Sequence, residues 1–280
     1  MNSGFVLCLS PAGFHKMAYA EFGPVDGPLT ISVHGLTRNG RDFDKLAAAL
    51  AAEGRRVICP DVVGRGKSDW LPRPELYGYP QYLADMAVLL AKFGNVPVDW
   101  VGTSMGGLIG MMLAAQPHSP IRRLVINDIG PFIPKAALER IGKYVGKETR
   151  FATLQEAEAE LRLRMAPFGI RKESDWAAIL ATSLRTLPDG NYSLAYDPAI
   201  GAPFAAEMTD MVLWPVWDAI KCPVLLLRGV ESDLLLRDTA VEMTGRGPCA
   251  RLAEFAGCGH APALMEDDQI AAICAFLGGI

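Results

Sequence analysis

No apolar run in this chain reaches the roughly 18 residues needed to cross a bilayer, and no block of lysine and arginine forms a basic surface. Lysine and arginine number 27 against 31 aspartates and glutamates, for a net charge of −4. Neither a membrane nor a nucleic-acid partner is expected. The N-terminal residues Met1-Asn2-Ser3-Gly4 lack the basic and long apolar regions of a signal peptide, so a cytoplasmic location is expected. The six cysteines show neither paired nor metal-ligand spacing, which argues against a disulfide framework and for a reducing compartment. Gly64-Arg65-Gly66-Lys67-Ser68 has the composition of a phosphate loop without its spacing, so nucleotide binding is rejected. No metal or organic cofactor is expected.

What the chain does have is an ordinary globular composition, 50% apolar and 21% charged over 280 residues, enough for one large α/β domain with an insertion. Its most informative stretch is Gly102-Thr103-Ser104-Met105-Gly106. Val98, Trp100 and Val101 before it read as the end of a buried strand; Leu108, Met111 and Met112 after it read as the start of a helix. A sharp strand-to-helix turn needs small residues two before and two after its centre. It exposes the Ser104 hydroxyl and aims the Met105 amide at a bound oxyanion.

A serine hydroxyl needs a base, and the base needs a third group to hold its tautomer. Only two of the four histidines follow Ser104. His118 lies in the turn-like Gln116-Pro117-His118-Ser119-Pro120 and reads as a solvated residue. His260 lies in Gly257-Cys258-Gly259-His260-Ala261-Pro262, a loop between an apolar strand and a final helix, and is the expected base. Three carboxylates compete for the third role. Asp233 is preferred because it follows the continuous apolar strand Pro223 to Gly229. Glu231 on the same loop is its rival, and Asp128, at the end of the preceding strand, is the remaining candidate. A second oxyanion donor is expected after the strand Leu29 to Val33, where Gly35 lets the loop approach closely and the amide of Leu36 is the candidate. His34 is expected to hold this loop. Arg38 stands equally well as a substrate contact or a loop fastener.

His34-Gly35-Leu36-Thr37-Arg38, Pro60-Asp61 through Ser68-Asp69, Gly102 through Gly107, Asn127-Asp128-Ile129-Gly130-Pro131, Arg228-Gly229 through Ser232-Asp233, and Gly257 through His260 occur in that order along nearly the whole chain. In this set the chain resembles α/β-hydrolase-fold enzymes of the bacterial carboxylesterase type. The resemblance implies a mostly parallel eight-stranded sheet flanked by helices, an inserted helical cap, a Ser-Asp-His triad and ester hydrolysis. Some similar proteins cleave hydroxyalkanoate oligomers or polyesters. One departure is visible: Asp233 stands four residues after Gly229, where the family pattern more often has three.

The strand–helix rhythm stops near Pro131 and resumes with Met211 to Ile220. The expected division is a core of residues 1–130 and 209–280 and a cap of residues 131–208. Thr153-Leu154-Gln155-Glu156 reads as a capping box opening a helix to about Met165. Ser174 reads as the cap of another, from Asp175 to Leu187, and Pro188-Asp189-Gly190-Asn191 as a turn. No buried strand is expected between Pro131 and about Met208. Phe132, Ile133, Met165, Phe168, Trp176, Tyr192, Tyr196 and Phe204 are available to line an apolar pocket; of these Phe132, Trp176 and Tyr196, with Arg38, are the candidate substrate contacts. The expected partner is a small-molecule ester with a small to medium apolar acyl group. The same triad also serves carbon–carbon bond hydrolysis and acyl transfer, and the same scaffold can act as a non-catalytic ligand-binding protein.

Overall fold

The fold is that of a computed structural model, which describes residues 1–93 and 97–278. Eight strands form one sheet: β1 (Asn2–Ser10), β2 (Gly13–Phe22), β3 (Leu29–Val33), β4 (Arg56–Pro60), β5 (Val98–Thr103), β6 (Ile121–Asn127), β7 (Val224–Gly229) and β8 (Arg251–Phe255). Their spatial order is β1-β2-β4-β3-β5-β6-β7-β8. β1, β2 and β4 pair antiparallel, and every pairing from β4 to β8 is parallel. β3 and β7 are buried at every position, as expected of parallel strands covered on both faces.

Successive residues of β5 serve opposite faces. Trp100 packs with helices α2 (Tyr79–Lys92) and α3 (Met105–Ala114), and Val101 packs with α1 (Asp44–Ala52) and the C-terminal helix (Asp267–Gly278). The sequence pattern at His15 to Phe22 marks only the second strand of the N-terminal hairpin. β1 is an edge strand whose outward residues Phe5, Leu7 and Leu9 are as apolar as its inward ones, so it lacks the polar–apolar alternation that marks a half-buried strand.

Between β6 and β7 the chain runs through α4 (Lys135–Gly142), α5 (Leu154–Met165) and α6 (Glu173–Ser183). Thr153 caps α5 by accepting from the Glu156 amide, and the Glu156 carboxylate accepts from the Ala152 amide. α6 starts two residues before the expected Asp175, with Lys172 as its N-cap and no capping side chain. In place of a buried strand, this segment holds short, partly exposed ribbons. Leu184–Thr186 pairs with Tyr192–Leu194 across the turn at 188–191, and Phe132–Ile133 pairs with Met211–Val212. Strands of two or three residues carry no readable alternation. The second ribbon clasps the start of the insertion to its end. The chain then re-enters the core through α7 (Trp214–Ala219), and α8 (Arg237–Gly245) joins β7 to β8.

Candidate active site

Ser104 lies one residue beyond β5, and its amide donates to Asn127 O at 2.9 Å, carrying the β5–β6 ladder one step past the strand. It takes φ 51° and ψ −113°, a conformation that a non-glycine residue keeps only when its surroundings over-determine it. The surroundings do so by close approach. A Cβ on Gly102 would lie 2.2 Å from Gly106 O, and one on Gly106 would lie 1.9 Å from Val33 O. The two glycines let α3 start directly on top of the strand. Met105 therefore presents its amide at the first position of that helix, where the aligned peptide dipoles favour negative charge.

His260 Nε2 stands 2.9 Å from Ser104 Oγ, and His260 Nδ1 stands 2.8 Å from Asp128 Oδ2. Asp128 is fully buried. Its Oδ1 accepts from the Gly229 amide at 2.8 Å, and its Oδ2 also accepts from the Ser232 hydroxyl at 2.5 Å. With Oδ2 accepting the Nδ1 proton, Nε2 keeps its lone pair toward Ser104, the tautomer that a general base requires.

The carboxylate on His260 is thus Asp128 and not the preferred Asp233. Asp233 points outward and is more than half exposed, held by Arg140 at 2.7 and 2.9 Å. Glu231 also turns away and accepts from the Gly257 amide at 3.1 Å. The physical reason is the ladder. Asp128 N donates to Leu227 O at 2.9 Å, which carries the β6–β7 pairing one residue beyond β6 and sets Asp128 beside the Gly229 amide. The loop after β7 instead zips to the histidine loop, with Val230 N to Phe255 O and Glu231 N to Cys258 O, both 3.0 Å. Ser232 and Asn127 went unnoticed in the sequence. Ser232 braces the carboxylate, and the Asn127 amide group donates to Thr103 Oγ1 at 3.1 Å and to Pro262 O at 2.8 Å, tying the serine turn to the histidine loop.

On the other side of Ser104, His34 is fully buried and satisfied at both ring nitrogens. Nδ1 lies 2.7 Å from Gly35 O, and Nε2 accepts from the Val62 amide at 2.9 Å. Burial lowers its pKa to about 3, with Arg65 and Arg38 acting the same way against the Gly35 hydrogen bond. The ring therefore stays neutral. Holding Gly35 O toward the ring turns the Leu36 N–H of the same trans peptide the opposite way. Among the described residues neither the Leu36 amide nor the Met105 amide has a hydrogen-bond partner.

Two cavities meet at Ser104 and Leu36. One, of about 460 Å³, is apolar, with Tyr79, Leu108, Ile133, Leu138, Ile200 and Phe204 among its walls. The other, of about 630 Å³, is also lined mostly by apolar surface but brings the charged residues Glu160 and Arg164 to its walls beside His260 and Thr37. Of the expected substrate contacts, Arg38 reaches this second cleft, but its guanidinium is held by Asp42 at 2.6 and 2.8 Å. Phe132, Trp176 and Tyr196 line neither cavity. Phe132 pairs with Val212, Trp176 is buried beneath Arg162, and Tyr196 is buried with its backbone bridged to Arg65.

Cys258, close to His260 in sequence, is buried, and burial pushes its thiol pKa up, which leaves it unreactive. Among the described residues one cluster has metal-ligand composition: Cys8, His15 and Asp85. Asp85 is already hydrogen-bonded to His15 at 2.9 Å and Gln81 at 2.7 Å, which pins the N-terminal hairpin to α2.

Residues 31–273 match the model of the alpha/beta hydrolase family. The chain belongs to that family. It is 45% identical to a 3-hydroxybutyrate-oligomer hydrolase of Cupriavidus necator, over 99% of this chain and 97% of that protein. It is 26% identical to the sn-1-specific diacylglycerol lipase ABHD11 of Xenopus tropicalis, over 91% of this chain and 79% of that one. Among solved structures, an alpha/beta hydrolase from Novosphingobium aromaticivorans superposes with a TM-score of 0.88 at 36% identity, covering 99% of this chain and 98% of the other. Family membership and these relatives make this protein a hydrolase of ester bonds.

Proposed function

We propose that this protein is a serine carboxylesterase acting on short hydroxyalkanoate oligomers through an acyl-enzyme on Ser104. The observation that carries the reading is the unbroken relay from Ser104 Oγ through His260 to Asp128, facing two unpartnered amides. His260 takes the Ser104 proton as the hydroxyl attacks the carbonyl, and Asp128 holds the imidazolium that forms. The Leu36 and Met105 amides receive the oxyanion, and each such donor contributes roughly 100- to 1000-fold. His260 then protonates the departing alcohol, and water releases the acyl group by the reverse sequence.

The two cavities have different parts in this scheme. The leaving oxygen must reach His260, which lines only the second cleft, so the alcohol part lies there and the acyl part lies in the first chamber. A hydroxyacid leaving group carries a free carboxylate; Arg140 and Arg164 line this cleft, whereas the charged walls of the first chamber are Glu207 and Asp210. The insertion between β6 and β7 supplies walls to both cavities, in keeping with the role of a cap over residues 131–208. Similarity over the full length to the Cupriavidus necator enzyme supports hydroxybutyrate oligomers as the substrate class.

The test is hydrolysis of 3-hydroxybutyrate dimers and trimers, with nitrophenyl acetate through octanoate as a chain-length series, by native protein and by Ser104→Ala. Native turnover that falls by roughly 10⁴-fold or more in the variant is expected. A folded native protein that hydrolyses no ester overturns the reading and moves attention to carbon–carbon substrates and to ligand binding.

A further inference from the structure

Four arginines are buried among the described residues: Arg38, Arg55, Arg65 and Arg228. Three of them have a carboxylate partner, respectively Asp42, Asp99 and Glu254. Arg65, the most deeply buried of the four, has none among the described residues. An uncompensated buried cation is costly, and a fold keeps one only where neutral donors and rings offset most of the desolvation. The guanidinium donates through Nε to Leu36 O at 2.9 Å, and through Nη1 to Val63 O at 2.7 Å and to Tyr82 Oη at 3.0 Å. Nη2 lies 3.6 Å from Met105 Sδ. The rings of Tyr82 and Tyr77 stand 5.0 and 5.9 Å from its central carbon, within range of cation–π attraction.

Two of these contacts fall on Leu36 and Met105, the residues whose free amides flank Ser104. We infer that Arg65 is the positioning residue of the oxyanion hole: one rigid, buried fork clamps both donor residues from behind and leaves its positive charge uncancelled for the oxyanion. The inference rests on the esterase reading above.

The loop is built to hold that fork. Gly64 and Gly66 both take positive φ, 83° and 55°. A Cβ on Gly66 would meet the Asp61 carboxylate at 2.3 Å, so the turn is tight and drives Arg65 inward. The Gly64-Arg65-Gly66 loop that resembles a phosphate loop only in composition thus acquires a use. Its backbone is also the dock for the insertion. Gly66 N donates to Ala195 O, and Asp197 N to Gly64 O, both 2.8 Å, around the Arg65–Tyr196 bridge. The segment that walls the cavities and the hole that stabilises charge are held by the same three residues.

An Arg fork matters here because a lysine keeps the charge but cannot hold Leu36 O and Met105 Sδ in one plane. The experiment compares native enzyme with Arg65→Lys, Arg65→Met and Met105→Leu on one nitrophenyl ester, alongside inhibition by a trifluoromethyl ketone whose adduct on serine mimics the oxyanion. Expected for Arg65→Met is a fall in kcat of roughly 10- to 100-fold with KM within about threefold, and a parallel loss of ketone affinity. Arg65→Lys should recover part of both, and Met105→Leu should lose about twofold to fivefold.

A merely structural role would lower melting temperature and active fraction without weakening the ketone relative to substrate. Where Arg65→Met does not fold, Arg65→Lys and Met105→Leu carry the test. Native-like kcat and ketone affinity in folded Arg65→Lys and Met105→Leu overturn the inference and leave the esterase reading intact. Absence of Ser104-dependent turnover in the native enzyme overturns both.

Discussion

Asp128 and Asp233 leave neighbouring strands of the same sheet, and their fates are opposite. The first continues the β6–β7 ladder, is sealed from solvent, and accepts from an amide at Oδ1 and from a hydroxyl and the imidazole at Oδ2. The second sits past the point where its loop has zipped to the histidine loop, and it pairs at the surface with a mobile-length side chain from α4. Exposed pairs of that kind contribute little, about 0–1 kcal/mol. A carboxylate that must steady an imidazolium needs fixed geometry and exclusion of water, and only the ladder position provides both.

Replacing each group in turn breaks or sharpens this contrast. Asp128→Asn should cost about 10⁴-fold in kcat by presenting His260 with the wrong hydrogen-bond partner; steady-state kinetics that show less than a tenfold loss would place the acid elsewhere. His34 gives the next largest effect, this time on stability. His34 is buried and neutral with a pKa near 3, whereas an unfolded histidine titrates near 6.5. Between those values the unfolded chain binds more protons, so the stability His34 contributes is present above about pH 6.5 and is lost as pH falls toward 3. By pH 5 the loss is roughly 2 kcal/mol. Urea unfolding at pH 7 and pH 5 should show a steeper drop for native protein than for His34→Gln, and equal drops would discount the histidine.

Ser232→Ala removes one brace from Asp128 and should lower kcat about tenfold, in line with a hydrogen bond to a charged group; an unaltered rate would mean that the Gly229 amide suffices alone. Asp233→Asn should change kcat by less than about threefold, and a loss as large as that of Asp128→Asn would reverse the comparison.

How much of this was legible in the sequence follows from what each part depends on. The Ser104 turn shows itself in residues within two positions of it, because small residues are needed there whether the close neighbour is the turn itself, as for Gly102 against Gly106 O, or the adjacent strand, as for Gly106 against Val33 O. His260 was readable by elimination among so few histidines. The acid was not, because the choice between Asp128 and Asp233 depends on how far the β6–β7 ladder runs past its last strand residue. That is a property of register across two segments about 100 residues apart, and no local pattern encodes it. The walls of the apolar chamber were legible only in part: Ile133 and Phe204 were among the available wall residues and do line it, but the aromatics singled out as substrate contacts do not. Phe132, Trp176 and Tyr196 are as aromatic as Tyr79 and Phe204, and only packing decides which face a cavity. Arg65 looked like part of a glycine-rich loop, and its lack of a carboxylate partner exists only in three dimensions.

The clasp between Phe132–Ile133 and Met211–Val212 brings the two ends of the insertion together on the core. Everything between those ends is a cassette. A segment with joined ends can lengthen, shorten or be exchanged at small entropic cost, because closing a loop depends only weakly on its length. The Ser104–His260–Asp128 relay lies outside it. Substrate range in such a chain can drift by replacement of one clasped block while the reacting atoms keep their places.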